Sequence, residues 1–163
     1  MDNGSSIEEE VMFFKKVSLV TGGFDPIHSG HIRYLKDAKT FSNHLVVGLN
    51  SNEWLIRKKG QYFLPWVERA DIIRHLHMVD SVVSWDDADN SACGAISKCL
   101  EKTDQVVFCN GGDRAKDNTP ELDAFENDDR VLFVWGVGGN NKMNSSSWIL
   151  ENYFNRQRKI LGI

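Results

Sequence analysis

One stretch of the sequence decides the fold: Thr21-Gly22-Gly23-Phe24-Asp25-Pro26-Ile27-His28-Ser29-Gly30-His31. It follows an apolar run at residues 17–20 and precedes an amphipathic segment, so we predict a turn between a strand and a helix. Gly22 and Gly23 let the backbone approach a polyanion without obstruction by a Cβ atom, and the N–H groups at a helix start attract negative charge. His28 and His31 add two imidazoles at the same point. The stretch therefore favours a phosphate-binding turn.

The pattern on either side of this turn predicts an α/β fold. A second apolar run at residues 45–49 follows a helical pattern at 31–41, which makes a right-handed βαβ unit with parallel strands. Further strands are predicted at residues 81–85, 106–109 and 131–135, and further helices at 65–77, 91–100 and 146–154. We therefore predict a Rossmann-like, doubly wound, five-stranded parallel sheet in three α/β/α layers. The turn lies at the carboxyl end of the first strand.

Length and composition narrow the class of protein. The 163 residues fit one domain, preceded by a polar arm at residues 1–10 that we expect to be flexible. A net charge of −4 provides no basic field for DNA or RNA, so a mononucleotide is the expected partner. The three cysteines lack the paired spacing of a zinc site. No run approaches the roughly 18 apolar residues of a membrane span, and we expect a cytoplasmic protein without a membrane partner.

The two histidines admit other interpretations. His28 and His31 are compatible with helix-start residues that satisfy local backbone groups, or with a shared metal ion such as zinc. No third ligand follows at a suitable spacing, so we predict no metal site built from protein ligands. The glycines, Asp25 and the preceding strand favour contact with phosphate. Asp25 also fits the cap of a turn, or a ligand of Mg²⁺.

The segment Gly22 to His31 resembles the signature Gly-x-Phe-Asp-x-x-His-x-Gly-His of the cytidylyltransferase-like superfamily of nucleotidyltransferases. From about Lys16 to Tyr153 the chain is most similar to glycerol-3-phosphate cytidylyltransferase and the heptose-1-phosphate adenylyltransferases. The resemblance implies a single nucleotidyltransferase domain over residues 11–163. It also implies that His28 and His31 are catalytic, contacting the nucleotide phosphates and stabilising a pentacovalent transition state, with residues 22–25 forming the phosphate loop.

The same resemblance implies roles for the basic residues at positions 57–59 and for Arg69. The catalytic lysine of glycerol-3-phosphate cytidylyltransferase falls on Lys58, while a second family lysine falls on Gly60, so Lys59 or Arg57 is the expected replacement. A solvated loop is the alternative for this charge run. Arg69 matches an arginine that lies near the phosphates, with acceptor binding or support of the loop as its roles. An exposed i, i+4 pair is the alternative for Arg69.

Two later motifs complete the implied nucleotide site. Gly111-Gly112-Asp113 resembles the Gly-Gly-Asp of heptose-1-phosphate adenylyltransferases, which approaches the nucleoside and sugar, although turn chemistry alone also selects these residues. Arg114 is an addition suited to an acidic acceptor. Ser145, Ser146 and Ser147 resemble the closing motif that holds the β- and γ-phosphates, and at least one of them must cap a helix. Lys142 is the candidate for the basic residue that relatives carry after these serines.

The implied reaction transfers CMP or AMP from CTP or ATP to a small phosphorylated acceptor, such as glycerol 3-phosphate or a sugar phosphate, and releases pyrophosphate. Mg²⁺ is expected to arrive with the nucleotide. Relatives of this size are often dimers, so a homodimer is among the oligomeric states that the sequence leaves open. A non-catalytic nucleotide-binding module and a phosphohydrolase are the alternatives. The sequence leaves the base and the acceptor open. Residues 136–139 do not match the dinucleotide fingerprint and are predicted to form a flexible loop over substrate.

Overall fold

A single parallel sheet organises the fold. The computed structural model describes residues 13–112, 114–139 and 144–163. In this part of the chain the strands are β1 (Phe14–Gly22), β2 (Leu45–Leu49), β3 (Ser81–Val83), β4 (Thr103–Gly111) and β5 (Val131–Val137). All neighbours are parallel, in the order β3-β2-β1-β4-β5. The predicted five-stranded parallel sheet is confirmed, and its order is that of a doubly wound fold.

Helices cover both faces of the sheet. They are α1 (Ser29–Lys39), α2 (Asn52–Lys59), α3 (Trp66–Arg74), α4 (Cys93–Leu100), α5 (Glu121–Phe125) and α6 (Ser146–Leu161), with a 3-10 turn at Lys116–Asn118. Buried side chains of α1 and α3 join one core cluster, and those of α4 join a second cluster on the opposite face. The three-layer α/β/α prediction is confirmed.

The alternation of side chains along β1 divides the core. Leu19 and Val20 are both fully buried but belong to different clusters, because successive strand residues point to opposite faces. Leu35 of α1 packs on the side of Val20, and Ile96 of α4 packs on the side of Leu19. The central strand is therefore held from both sides, which fixes the position of the turn that follows it.

Two helices were not predicted, and one is longer than predicted. In α2 the apolar residues Trp54, Leu55 and Ile56 are consecutive, so no helical period is visible, and only Leu55 is buried. The sequence nevertheless contains signals for both ends of α2. Ser51 caps its start, and Gly60 ends it with a φ of 86°. The short α5 follows Pro120, and α6 continues past its predicted end at residue 154.

Some predictions fall on residues that the structure does not describe. The arm at residues 1–10, Asp113 and Lys142 lie outside the described residues. Within the described ranges, none of the helices has the length and apolar content needed to cross a membrane.

Candidate active site

A cavity of about 430 Å³ opens at the carboxyl ends of β1 and β4. Successive connections leave the sheet in opposite directions at this point, which is where ligands bind in doubly wound folds. The turn after β1, the starts of α1 and α6, and the loops after β4 and β5 form its walls. Ten predicted residues line it: Gly22, Gly23, Phe24, His28, His31, Gly111, Gly112, Ser145, Ser146 and Ser147.

The two histidines cap the start of α1 reciprocally. Nδ1 of His28 accepts a hydrogen bond from the Gly30 N–H at 3.0 Å, and Nδ1 of His31 accepts one from the His28 N–H at 3.3 Å. The rings stack with centroids 3.8 Å apart, and Phe24 packs beside His31 at 4.9 Å. The helix-start interpretation is confirmed, and the same rings also line the cavity. Their contact with phosphate stays a prediction.

This geometry assigns the tautomer of both rings. A backbone N–H can only donate, so each Nδ1 must carry a lone pair, and the proton of a neutral ring must sit on Nε2. Burial, aided by the nearby His28 and Lys59, lowers the pKa of His31 to about 3. His31 is therefore neutral at physiological pH and presents Nε2–H as its donor, which suits an anionic ligand and does not suit a metal ion.

Gly30 is required by the position of the His28 ring. A Cβ atom at residue 30 would lie 2.8 Å from Cε1 and 3.0 Å from Nδ1 of His28. The ring can fold back over the helix start only because residue 30 has no side chain. This explains in steric terms why a glycine separates the two histidines.

The start of α6 faces the start of α1 across the cavity. Ser145 is the N-cap of α6, with its Oγ accepting the Trp148 N–H at 3.1 Å. The Ser146 hydroxyl donates to the carbonyl of Pro26 at 2.8 Å and so ties α6 to the turn after β1. Ser147 also lines the cavity. The prediction that at least one serine caps a helix is confirmed, and two helix starts converge on one space.

Asp25 and Arg69 connect the turn after β1 to the segments that pack against it. Asp25 is buried, and its two oxygens accept the N–H groups of Phe63 and Leu64 at 2.6 and 2.7 Å. Arg69 is 1% exposed and donates to the carbonyls of Gly23, Asn50 and Leu64 and to Asn52 Oδ1.

The expected ligand contact of Arg69 is therefore corrected. Arg69 lines neither the cavity described above nor the second one described below, because its guanidinium is enclosed by carbonyl groups; of its predicted roles, support of the loop is the one the structure shows. Asp25 holds the turn after β1 against residues 63 and 64, and a contact of Asp25 with Mg²⁺ stays an alternative. The described residues contain no cluster of three or more His, Cys, Asp or Glu suited to a metal ion.

Two residues of α1 hold the far wall of the cavity. Asp37 accepts the Gly138 N–H at 2.7 Å, and the Tyr34 hydroxyl donates to the Cys109 carbonyl at 2.5 Å. A Cβ at Gly138, where φ is 84°, would lie 2.9 Å from the Cα of Tyr34. The prediction of a flexible loop at residues 136–139 is corrected, because Gly136 and Val137 belong to β5 and the Gly138 N–H is bonded to Asp37 of α1.

The basic residues divide between two cavities. Lys59, Arg33 and Arg114 line the first one, and the described residues around it include no carboxylate. A second cavity of about 480 Å³ adjoins it and is lined by Arg57, Lys58 and Arg114, with Trp54 and Trp85 in its walls. Lys58 Nζ lies 5.8 Å from the centroid of Trp54. Lys59, rather than Lys58, therefore accompanies the histidine pair.

A family model described as Cytidylyltransferase-like matches residues 19–123, which contain the turn after β1, α2, α3 and the loop after β4. The chain belongs to the cytidylyltransferase-like family of nucleotidyltransferases. The resemblance carried by the segment from Gly22 to His31 is therefore confirmed.

The chain is also similar in sequence to two curated proteins. The chain is 33% identical over 150 residues to the bifunctional protein HldE of Geobacter metallireducens, covering 90% of this chain and 29% of that protein. It is 32% identical over 142 residues to HldE of Geobacter sulfurreducens, covering 85% and 28%. The chain thus spans less than a third of the length of these relatives.

Two solved structures share the fold. The lipopolysaccharide core biosynthesis protein from Thermoplasma volcanium superposes with a TM-score of 0.57 at 24% identity, covering 74% of this chain and 94% of that one. The NadR protein in complex with NAD and AMP-PNP gives 0.58 at 17% identity, covering 86% and 43%. At these identities the likeness shows the α/β fold alone.

Several residues of this cytidylyltransferase-like site were not predicted from the sequence. Tyr34 follows His31 by three positions and so shares its helix face, a signal that was available. Asn110 and Asn144 precede predicted motifs directly, and both line the first cavity. Glu121 had no local signal, because the residues it contacts, Ala92 and Arg114, are separated from it in sequence.

Proposed function

We propose that this chain transfers a nucleoside monophosphate from CTP or ATP to a small phosphorylated acceptor and releases pyrophosphate. The observation that carries the proposal is the convergence of two helix starts, a neutral histidine pair and Lys59 on one cavity in a chain of the cytidylyltransferase-like family. All of these groups favour bound anions. Positioning and charge stabilisation supply most of the catalysis in chemistry at phosphorus.

The triphosphate would occupy the first cavity. Backbone N–H groups of residues 22–24, the Nε2–H groups of His28 and His31, and the start of α6 would surround its phosphates. Lys59 would neutralise the departing pyrophosphate, with Lys58 contributing from the neighbouring cavity. Mg²⁺ would accompany the nucleotide on its own phosphate oxygens and withdraw charge from the leaving group.

The reaction balances without a covalent enzyme intermediate. An oxygen of the acceptor phosphate attacks the α-phosphorus in line, a new P–O bond forms, and the bond from the α-phosphorus to the bridging oxygen breaks. Pyrophosphate leaves with that electron pair. A phosphate dianion is already nucleophilic, so no general base is needed. A neutral His31, held as the Nε2–H tautomer, is consistent with a role as hydrogen-bond donor to the charge that develops on the α-phosphate.

The second cavity is the natural place for the acceptor. It meets the first at Thr21, Gly22 and Arg114, so an acceptor there would face the α-phosphate. Arg57 and Lys58 give it positive charge, while Asn50, Asn90 and Ser91 offer hydrogen-bonding groups. This chemistry suits a small hydroxylated phosphomonoester, such as a polyol or sugar phosphate.

The test is product analysis. The protein is incubated with each of the four nucleoside triphosphates, Mg²⁺, and a panel that includes glycerol 3-phosphate and sugar phosphates, and pyrophosphate and orthophosphate are measured separately. We expect pyrophosphate with CTP or ATP and only when a phosphorylated acceptor is present; glycerol in place of glycerol 3-phosphate is the matched control. Nucleotide binding without pyrophosphate would indicate a binding module, and orthophosphate without acceptor a phosphohydrolase.

A further inference from the structure

A buried carboxylate lies in the wall of the second cavity, next to the arginine that the two cavities share. Glu121 is fully buried at the start of α5, and its Oε1 accepts the Ala92 N–H at 2.7 Å. Arg114 Nη2 lies 3.3 Å from Glu121 Oε2. A buried charge is costly unless it is paired and hydrogen-bonded, so this arrangement requires the guanidinium to stay where it is.

Arg114 is the charged side chain that the two cavities share. The other shared residues among those described are Thr21 and Gly22 at the end of β1. Its Nη1 donates to Asn110 Oδ1 at 3.3 Å, and its side chain remains 34% exposed. The guanidinium is therefore fixed on one side by Glu121 and Asn110 and faces the junction of the cavities with its remaining N–H donors.

We propose that Arg114, held by Glu121, forms an oxyanion subsite at the junction that binds the phosphate of the acceptor. The proposal rests on the proposed function and names the group that recognises the acceptor. The attacking and attacked phosphates must approach to about 3–3.5 Å although both are anionic. A planar guanidinium can donate two parallel hydrogen bonds to one phosphate and reduce that repulsion.

Glu121 is a positioning residue in this subsite. The same carboxylate binds Arg114 and the N–H of Ala92, which is part of the wall of the second cavity. In that wall the Trp85 indole donates to the carbonyl of Ser91 at 2.8 Å. One buried group therefore fixes both the guanidinium and the edge of the acceptor cavity.

The subsite is tested by phosphate binding, without turnover. Inorganic phosphate is titrated into ¹⁵N-labelled protein, with the indole signals of Trp54 and Trp85 reporting on the second cavity and the Gly30 amide reporting on the first. We expect Arg114→Met to weaken the phosphate response of the indoles about tenfold or more, the range for losing a hydrogen bond to a charged group. Arg114→Lys keeps the charge but loses the fork, and we expect an intermediate loss.

The matched control is Arg130→Met. Arg130 is an exposed arginine that also pairs with a carboxylate, that of Asp128. It directly precedes β5 and so lies at the amino-terminal ends of the strands, away from both cavities. Phosphate binding should be unchanged in this variant. If Arg114→Met does not fold, Arg114→Lys decides the question. Indole signals that do not respond to phosphate in the wild-type protein, or equal affinity in the Arg114→Lys and wild-type proteins, would overturn the proposal.

Glu121→Gln tests the positioning role. Glutamine keeps an oxygen for the Ala92 N–H but removes the charge that holds Arg114. We expect weaker phosphate binding and, in the transferase assay, a higher KM for the acceptor with an unchanged KM for the nucleotide. A purely structural role would raise both KM values and lower the thermal midpoint. Absence of pyrophosphate from the wild-type protein would refute the proposed function but leave the phosphate titration to judge the subsite separately.

Discussion

The starts of α1 and α6 face the same cavity but are held there in different ways. The start of α1 is fixed by His28 and His31, which are three residues apart and cap each other's backbone. The start of α6 is tied to the site by the bond from Ser146 to Pro26, across 120 residues of sequence. One helix start is therefore specified by a local motif, whereas the other depends on a contact between segments far apart in sequence.

The two helices also differ in how far their side chains beyond the first turn are buried. In α1, Leu35 and Ala38 are fully buried in the core. In α6, Ser146 is the buried residue, and the apolar residues toward its end are exposed, among them Ile160 at 75%. Segments with few buried contacts open at low free-energy cost. We therefore expect changes at the α1 start to affect the chemical step strongly, and changes at the α6 start to affect nucleotide affinity weakly.

The largest effect is expected from replacing a histidine by asparagine. In His28→Asn and His31→Asn the side-chain oxygen can take the place of Nδ1 as the cap, while the Nε2–H donor is lost. Turnover should fall about 10²–10³-fold, as for other transition-state hydrogen-bond donors. The assay is pyrophosphate release, with thermal melting to confirm that stability is retained.

Alanine at the same positions separates the two roles of the rings. His28→Ala should show the same loss of turnover and in addition lose about 0.5–2 kcal/mol of stability with the cap. His75→Asn, at an exposed histidine after α3, is the control and should change neither property. Near-normal turnover in His28→Asn and His31→Asn would show that the rings serve only as caps.

Gly30→Ala should reduce turnover about as far as losing one hydrogen-bond donor, without loss of folding. The new Cβ would lie 2.8 Å from Cε1 of His28, so the ring must leave its position. Alanine favours the interior of a helix over glycine by about 1 kcal/mol, which offsets part of the lost cap. We expect activity to fall while the melting temperature stays close to that of the wild-type protein. Parallel losses of both would indicate instead that the helix start has collapsed.

The contrast between the two helix starts also explains what the sequence could predict. The strands, the three layers and the histidine turn follow from local patterns, and they are confirmed. The roles of Arg69 and Glu121 depend on partners brought from other segments, such as Gly23 for Arg69 and Ala92 for Glu121. A residue's own neighbours in sequence carry no signal for such contacts. The sequence also did not predict that Lys58 and Lys59 line different cavities. Their positions depend on α2, and the apolar residues of this helix do not show the 3.6-residue spacing by which a helix is predicted.

The pH dependence of stability should also distinguish the two helix starts. The folded-state pKa of His31, lowered chiefly by burial to about 3, lies below the ordinary histidine value of 6.5. The unfolded chain therefore binds an additional proton between these values, and the stabilisation present above pH 6.5 is lost as the pH falls. One proton contributes a slope of up to about 1.4 kcal/mol per pH unit.

Urea denaturation at pH 7.5, 6 and 5 measures this slope. We expect His31→Asn to flatten it relative to the wild-type protein. The serines at the start of α6 do not titrate, so Ser145→Ala should lower stability equally at every pH. A wild-type slope that persists in His31→Asn would assign the proton uptake to another group.

The smallest effect is expected at Ser146. Ser146→Ala removes one hydrogen bond, to the carbonyl of Pro26, worth about 1 kcal/mol. This bond positions the start of α6 but does not hold the Nε2–H donors of His28 and His31. Nucleotide affinity should therefore fall about fivefold, which is the equivalent of about 1 kcal/mol. Turnover at saturating nucleotide should change little. Calorimetric titration with the nucleotide measures the affinity, and Ser97→Ala, at an exposed serine of α4, is the control. A loss of turnover as large as that of His28→Asn would show instead that the long-range tie is as much a part of the catalytic geometry as the local motif.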